Sequence, residues 1–395
     1  EEIQNRLLEV CTVSAGAVSY HGLLIKDSSV VYQYAEDALD KAKKAGKNLL
    51  VFFSADDFNK KISQLELLEE LKQSVKNGCE GFSLYYQPQV DIRTNKIVGA
   101  EALMRSLVNE GVDVLFGYPG GAIMPVYDAL YDHKDDLYHV LVRHEQGAVH
   151  AAQGYARVSG KVGCAIVTSG PGATNTITGI ADAMIDSTPM VVICGQVGTS
   201  MLGTDAFQEV DVVGVTQPIS KWSYQIRRAE DIAWAVSRAF YIARSGRPGP
   251  VVLDFAKNAQ TGLVDYEPAN VDFIRSYEPY PQPAKGAIEM AAKMINDSVK
   301  PFVLVGQGVE LGNATEELRE FIEKADIPCA TTFLGLSAVP SNHPLNKGIL
   351  GMHGNLGPNV MTNQCDLLIA VGMRFDDRVT GNLATYAKQA KIIHF

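Results

Sequence analysis

His139-Val140-Leu141-Val142-Arg143-His144-Glu145-Gln146-Gly147-Ala148-Val149-His150 passes from an apolar run into a small-residue helical pattern, and one carboxylate stands at the passage. Residues 139–142 read as a strand and residues 147–158 as a helix. The same step recurs on both sides. Upstream, Phe116-Gly117-Tyr118-Pro119-Gly120-Gly121-Ala122 follows a short apolar strand. Downstream, Thr168-Ser169-Gly170-Pro171-Gly172-Ala173-Thr174-Asn175 follows a longer one. Helical patterns at 101–110, 124–131, 147–158 and 173–185 alternate with apolar strands at 112–116, 139–142, 162–168 and 190–194. This alternation predicts α/β architecture, a doubly wound parallel sheet covered on both faces. Such sheets bind ligands outside the carboxyl ends of their strands. The three turns therefore predict a crevice around Glu145.

Each turn also has a purely structural reading. The glycines at 117–122 permit positive φ and close backbone approach, and their N–H groups serve either a polar ligand or the turn alone. Ser169-Gly170-Pro171-Gly172 has the same two readings. Asn175 either donates to a ligand or satisfies the turn. Glu145 is either a first-turn acid that steadies the helix dipole or a functional carboxylate. His144 and His150 lie about 240° apart around a helix, so no metal pair is predicted.

Residues 263–284 carry Asp265, Pro268, Asn270, Pro279, Pro281 and Pro283 and read as a linker. A second α/β unit is expected over 285–395. Its helices are predicted at 287–295 and 314–324, and its strands at 302–305, 328–331, 367–371 and 391–395. Gly306-Gln307-Gly308 follows a strand and is a partial dinucleotide signature without its third glycine. Arg374-Phe375-Asp376-Asp377-Arg378 follows another, and its charges read as a ligand site or an ion-pair network.

Composition narrows the classes. The chain has 395 residues and is 46% hydrophobic, enough for two or three cores. Its net charge of −10 argues against a basic nucleic-acid binder. Six cysteines without C-x-x-C spacing predict neither a zinc site nor a redox dithiol. Cys164 and Cys194 read as buried strand residues, and the usage fits a reducing cytoplasm. No apolar run approaches the roughly 18 residues of a membrane span.

Residues 1–98 differ in character. Strands are expected at 10–18, 48–53 and 82–86, and helices at 35–45 and 61–75. Lys41, Lys43, Lys44 and Lys47 read as a solvated basic face. Tyr34-Ala35-Glu36-Asp37-Ala38-Leu39 with Ala42-Lys43-Lys44-Ala45-Gly46-Lys47-Asn48 resembles the end of a GGDEF domain, over residues 1–60. Phe82-Ser83-Leu84-Tyr85-Tyr86-Gln87-Pro88-Gln89-Val90, then Gly99-Ala100-Glu101-Ala102-Leu103, resembles the linker helix and first strand of an EAL domain, over 61–105. That resemblance implies a cyclic-di-GMP signalling fragment, with Glu101 a metal ligand or an ordinary helix residue. A barrel stopped after one strand cannot close, so no catalysis is expected of this segment. Residues 99–105 also fit the first helix of the following unit, as expected where two unrelated sequences are joined into a chimera.

From about residue 99 onward the motifs together resemble the catalytic subunit of acetolactate (acetohydroxyacid) synthase, a thiamine-diphosphate transferase of branched-chain amino-acid synthesis. The resemblance also rests on Asp205-Ala206-Phe207-Gln208-Glu209, Pro218-Ile219-Ser220-Lys221, Gly246-Arg247-Pro248-Gly249-Pro250 and Leu350-Gly351-Met352-His353-Gly354. It implies a pyrimidine-binding domain over 100–262 and a Rossmann-like FAD-binding flavoprotein domain over 285–395. Glu145 would hydrogen-bond N1′ of the aminopyrimidine and favour the imino tautomer that removes the thiazolium proton. Gly121 would make an oxyanion-type contact. Pro119, Gly120, Gly172 and Asn175 would touch thiamine diphosphate, and Ala122, Phe207, Gln208 and Lys221 would serve the substrate. Arg247, Gly306, Gly308, Leu350, Gly351, Met352, His353, Gly354, Arg374 and Asp376 would contact FAD. The resemblance further implies pyruvate and 2-ketobutyrate as substrates, a dimer or tetramer, and a small regulatory subunit. In that family a third domain holds Mg²⁺ (magnesium) and the diphosphate. This sequence lacks it, so negligible activity is expected of the chain alone.

Overall fold

The computed structural model describes residues 14–18, 28–45, 49–53, 90–91 and 96–395. The chain divides into two compact units, residues 1–87 and 88–395. In the first, β1 (Ala15–Val18) and β2 (Leu50–Phe53) pair in parallel, with helix Ser28–Lys44 between them in sequence. Ala38 and Ala42 form the helix's buried stripe, and Tyr34 stacks on Phe53 at 4.4 Å. The helix expected at 61–75 and the strand at 82–86 lie outside the described residues.

The second unit opens with an antiparallel pair, β3 (Val90–Asp91) and β4 (Lys96–Val98). Its main sheet contains β5 (Val114–Gly117), β6 (Tyr138–Leu141), β7 (Gly163–Val167), β8 (Met190–Gln196), β9 (Trp222–Ile226) and β10 (Pro250–Ala256). All pair in parallel, in the order β6-β5-β7-β8-β10-β9. Every residue of β7, β8 and β10 is buried. Alternate residues feed two cores, as the period of a strand requires. Ile166, Val191 and Leu253 pack against helices Gly99–Asn109 and Ile232–Arg244. Ala165, Val192 and Val252 pack against helices Glu145–Ser159 and Ile177–Ile185. β11 (Leu263–Val264) then pairs with β4 and ties the start of the unit to residue 264.

The doubly wound sheet expected from sequence is present, with local differences. The helix expected over 147–158 begins at Glu145, and the one over 173–185 is split into Pro171–Thr174 and Ile177–Ile185. β9, β10 and helix Ile232–Arg244 were not foreseen. Asp254 interrupts the apolar run of β10, and β9 mixes aromatic with polar residues. Residues 265–286 contain no helix or strand, but they are not a free tether. Ile274 is buried, and the Val271 N–H donates to Ser237 Oγ at 2.9 Å on helix Ile232–Arg244.

The second sheet contains β12 (Pro301–Val305), β13 (Cys329–Thr331), β14 (Asn346–Ile349), β15 (Leu367–Val371) and β16 (Lys391–His394). These are parallel in the order β14-β13-β12-β15-β16. The winding reverses between β5 and β7 in the first sheet, where β10 also turns back to insert between β8 and β9, and between β12 and β15 in the second. Those switch points open crevices at the carboxyl ends of the strands.

Candidate functional site

The turns after β5, β6 and β7 meet at the first switch point. His144 is the N-cap of helix Glu145–Ser159, its Nδ1 accepting from the Gln146 N–H at 3.1 Å, so Glu145 is the first helical residue. Glu145 is 8% exposed. Its Oε2 accepts from Asn175 Nδ2 at 2.9 Å. Its Oε1 lies 3.4 Å from where a Cβ on Gly172 would stand. One oxygen is held, and the other lies beside Gly172, which packs closely against the Thr168 side chain. Burial, with the Glu145 charge behind it, holds the Tyr127 phenol well above its usual range. Tyr127 Oη lies 3.3 Å from His139 Nε2, and burial makes that imidazole harder to protonate.

The turn after β5 is pinned from behind. Gln260 Nε2 donates to Ala122 O at 2.8 Å, and Lys257 Nζ to Gly121 O at 3.4 Å. A Cβ on Gly120 would stand 2.6 Å from the Thr168 side chain, whereas one on Gly121 would meet nothing within 4 Å. Among the described residues, the N–H groups of Gly120, Gly121 and Ala122 have no backbone acceptor. Glu209 gathers the N–H groups of Gly203, Ala206 at 3.2 Å and Thr204 at 3.3 Å, which holds its carboxyl below the usual range. The loop so formed sets Gln208 O 2.5 Å from where a Cβ on Gly170 would stand, and leaves Phe207 86% exposed.

The second switch point opens into a cavity of about 980 Å³. Gly308, Leu350, Met352, His353, Arg374 and Asp376 line it from the second sheet. Arg247 lines it from the first, with Nε donating to Ser187 Oγ at 2.7 Å and an Nη to Ile185 O at 3.0 Å. The glycines here are spent on the backbone. The N–H of Gly306 donates to Val371 O at 2.9 Å and that of Gly308 to Gly372 O at 2.7 Å. A Cβ on Gly306 would stand 2.4 Å from Gly372 O. Both Gly351 backbone groups bond to the Asn359 side chain at 2.9 Å. Asp376 caps helix Asp377–Thr380, accepting from the N–H of Arg378 and of Val379.

Residues 97–215 match the family described as thiamine pyrophosphate enzyme, N-terminal TPP binding domain, and residues 288–395 match its central domain. Both stretches belong to the thiamine pyrophosphate enzyme family. Within it, the chain is 50% identical over 300 residues to the acetolactate synthase large subunit of Corynebacterium glutamicum, covering 76% of this chain and 48% of that protein. It is 49% identical over 300 residues to the probable acetolactate synthase large subunit of Methanocaldococcus jannaschii, covering 75% and 50%. It is 46% identical over 301 residues to the acetolactate synthase large subunit of Haemophilus influenzae, covering 76% and 52%. The chain spans about half the length of these relatives.

Of the residues expected to meet the thiamine pyrophosphate ring system, Glu145, Asn175, Gly120 and Gly172 come together: Asn175 bonds Glu145, Gly172 lies beside it, and Gly120 and Gly172 both approach Thr168. Gly121 and Ala122 lie on the edge of this crevice, beside Pro119, and Gln208 joins its rim. Lys221 does not join them. It precedes β9, its N–H donates to Pro250 O at 2.8 Å, and it therefore sits at the amino ends of the strands. Its Nζ donates to Ile242 O, to Ser245 O at 2.7 Å and to Tyr277 Oη at 3.2 Å. The ammonium caps helix Ile232–Arg244, and burial makes it easier to deprotonate. Gly306, Gly351 and Gly354 shape the walls of the second cavity without lining it.

Sequence reasoning missed Gln260, Asn359 and Asp254, and gave Thr168, the first residue of the 168–175 stretch, no role of its own. Gln260 carries no motif, and only the folded chain brings Thr168 and Gln260 to the turn after β5. Glu101 is an ordinary helix residue that pairs with Arg105 at 2.7 Å and His133 at 3.1 Å. The family match begins at residue 97, so the GGDEF and EAL resemblance of the preceding segment gains no support from it. Among the described residues no helix is long and apolar enough to cross a membrane, and no group of His, Cys, Asp and Glu could hold a metal.

Proposed function

We propose that residues 97–395 are the pyrimidine-binding and flavin-binding parts of an acetolactate synthase large subunit. The enzyme would decarboxylate pyruvate and join the two-carbon unit to a second 2-keto acid, pyruvate or 2-ketobutyrate. One observation carries this reading. A buried carboxylate at a sheet switch point is held by one oxygen and presents the other to a crevice floored by glycine.

The crevice suits a flat heterocycle. Gly121 leaves open space, Gly172 packs against the Thr168 side chain beside Glu145 Oε1, and the buried Thr168 hydroxyl has no partner. Thiamine diphosphate, when bound, supplies the electron sink for cleaving the bond next to a keto group. Glu145 would accept a hydrogen bond from a ring nitrogen at Oε1, and Asn175 would keep the carboxylate turned toward it. Burial of Glu145, with Tyr127 nearby, keeps water from the acid and strengthens that bond. The free N–H groups of Gly121 and Ala122 would orient the substrate oxygen. Gln208 and Phe207 would border the substrate's approach.

FAD suits the second cavity, whose volume is at the upper end for ligand pockets. Arg247 and Arg374 would meet its phosphates, and Leu350 and Met352 its apolar surface. Mg²⁺ and the diphosphate would be held outside the pyrimidine-binding and flavin-binding domains. Within one chain the flavin cavity abuts the amino ends of the first sheet, whereas Glu145 stands at its carboxyl ends. That separation supports a homo-oligomer in which different copies complete one site. A small regulatory partner accords with the relatives' designation as large subunits.

FAD titration tests the flavin half. Free-flavin fluorescence should quench to saturation at one FAD per chain, and Arg247→Ala with Arg374→Ala should weaken binding about tenfold or more. Unquenched flavin would contradict the assignment.

A further inference from the structure

Asp254 is a buried acid for which the proposed chemistry has no use. It lies in the middle of β10 between Cys194 of β8 and Gln225 of β9, and it is 0% exposed. Its Oδ2 accepts from Gln225 Nε2 at 2.6 Å and from Gln196 Nε2 at 3.3 Å, while its Oδ1 has no partner. Gln196 Nε2 also donates to Val210 O at 2.9 Å. The acid is thus tied through one side chain to the backbone that follows the Gln208 loop. Beyond Val210 the chain runs over this face of the sheet, with Val212 packed in the same core as Cys194 and Val252.

We propose that Asp254 is a proton-controlled anchor: protonated, it lets the 203–216 segment lie closed on the sheet, and ionised, it loosens that segment and the Gln208 rim of the first crevice. An ionised Asp254 would carry a buried oxygen without a donor, and opening the segment would admit water to it. Asp211, on the covering segment itself, repels the charge. Arg227, after β9, attracts it more weakly than burial opposes it. Cys194 stays neutral, since burial raises its thiol well above the usual range. Glu209 stays ionised, since its backbone donors lower its carboxyl. Asp254 is therefore the group in this cluster that changes charge near neutrality, burial lifting it to about 7. The consequence for substrate rests on the proposed function, but the response of the segment to pH does not.

Hydrogen–deuterium exchange of the whole chain, expressed as protection factors for residues 203–216, tests this. Wild type should lose protection about tenfold between pH 6 and pH 8, as linkage to one group titrating near 7 requires. Asp254→Asn should show equal protection at both pH values, above that of wild type. Asp211→Asn, which retains the cap of helix Val212–Thr216, should raise protection at pH 8. Equal wild-type protection at both pH values would overturn the anchor, as would a persistent pH response in Asp254→Asn. Should Asp254→Asn fail to fold, unchanged protection at pH 8 in Asp211→Asn overturns it.

Discussion

The two switch points follow the same topological rule and yield different sites. At the first, the glycines divide: Gly121 faces open space, whereas Gly120 and Gly172 admit the Thr168 side chain and Gly170 the Gln208 backbone. At the second, glycine removes room. Gly306, Gly308 and Gly372 bring two strand ends into backbone contact, and the N–H groups of Gly306 and Gly308 are consumed there. Side chains such as Arg247, Arg374 and Met352 then define the cavity. A glycine-rich turn after a parallel strand is therefore not by itself a ligand cradle. What decides is whether its N–H groups and its missing Cβ face another strand or empty space.

The sharpest way to break this contrast is to add a methyl group on each side. Gly306→Ala would drive a Cβ to 2.4 Å from a backbone carbonyl that cannot move aside. Thermal unfolding should register a loss of about 3 kcal/mol or more. Gly121→Ala should leave the melting temperature unchanged within about 1 °C and weaken thiamine binding by calorimetry. Equal melting temperatures for the two variants would erase the distinction.

A second difference is charge. The first sheet buries Asp254, whereas the buried polar residues of the second sheet unit, Thr331, Thr362 and Thr380, are neutral. Burial raises Asp254 from an ordinary 3.8 to about 7. The folded state thus holds the proton more tightly than the unfolded chain does. The penalty is absent below about pH 4, grows through pH 7, and is complete above it, up to about 4 kcal/mol. Asp254→Asn should match wild type near pH 4 and melt progressively higher than it as pH rises to 8. A constant offset across that range would contradict the assignment.

Lys221 gives a smaller test. Its ammonium caps helix carbonyls at the amino ends of the first sheet. Lys221→Met should cost about 1–3 kcal/mol of stability by denaturant titration and leave thiamine affinity unchanged. Lost affinity at unaltered stability would return Lys221 to the first crevice.

The sequence made the layered fold legible where strands were long and uniformly apolar, as in β7, β8 and β12. It hid β10 because Asp254 breaks the run, and β9 because Trp222 and Tyr224 alternate with polar residues. Glu145 was legible because an acid at a strand-to-helix turn is a local pattern. Its hold by Asn175 and its neighbour Tyr127 were not, since both depend on packing between turns far apart in sequence. The place of Lys221 was not legible for the same reason. Its motif marked a resemblance, but only the fold shows at which end of the sheet it sits.

The central claim is that the first switch point, and not the second, receives the thiamine ring system. Amide chemical-shift mapping of the labelled chain with added thiamine measures this directly. The account predicts shifts at Gly120, Gly121, Glu145, Gly172 and Asn175, reduced in Glu145→Gln. Shifts confined to Gly308, Met352, His353 and Arg374, or none at the first crevice, would contradict it.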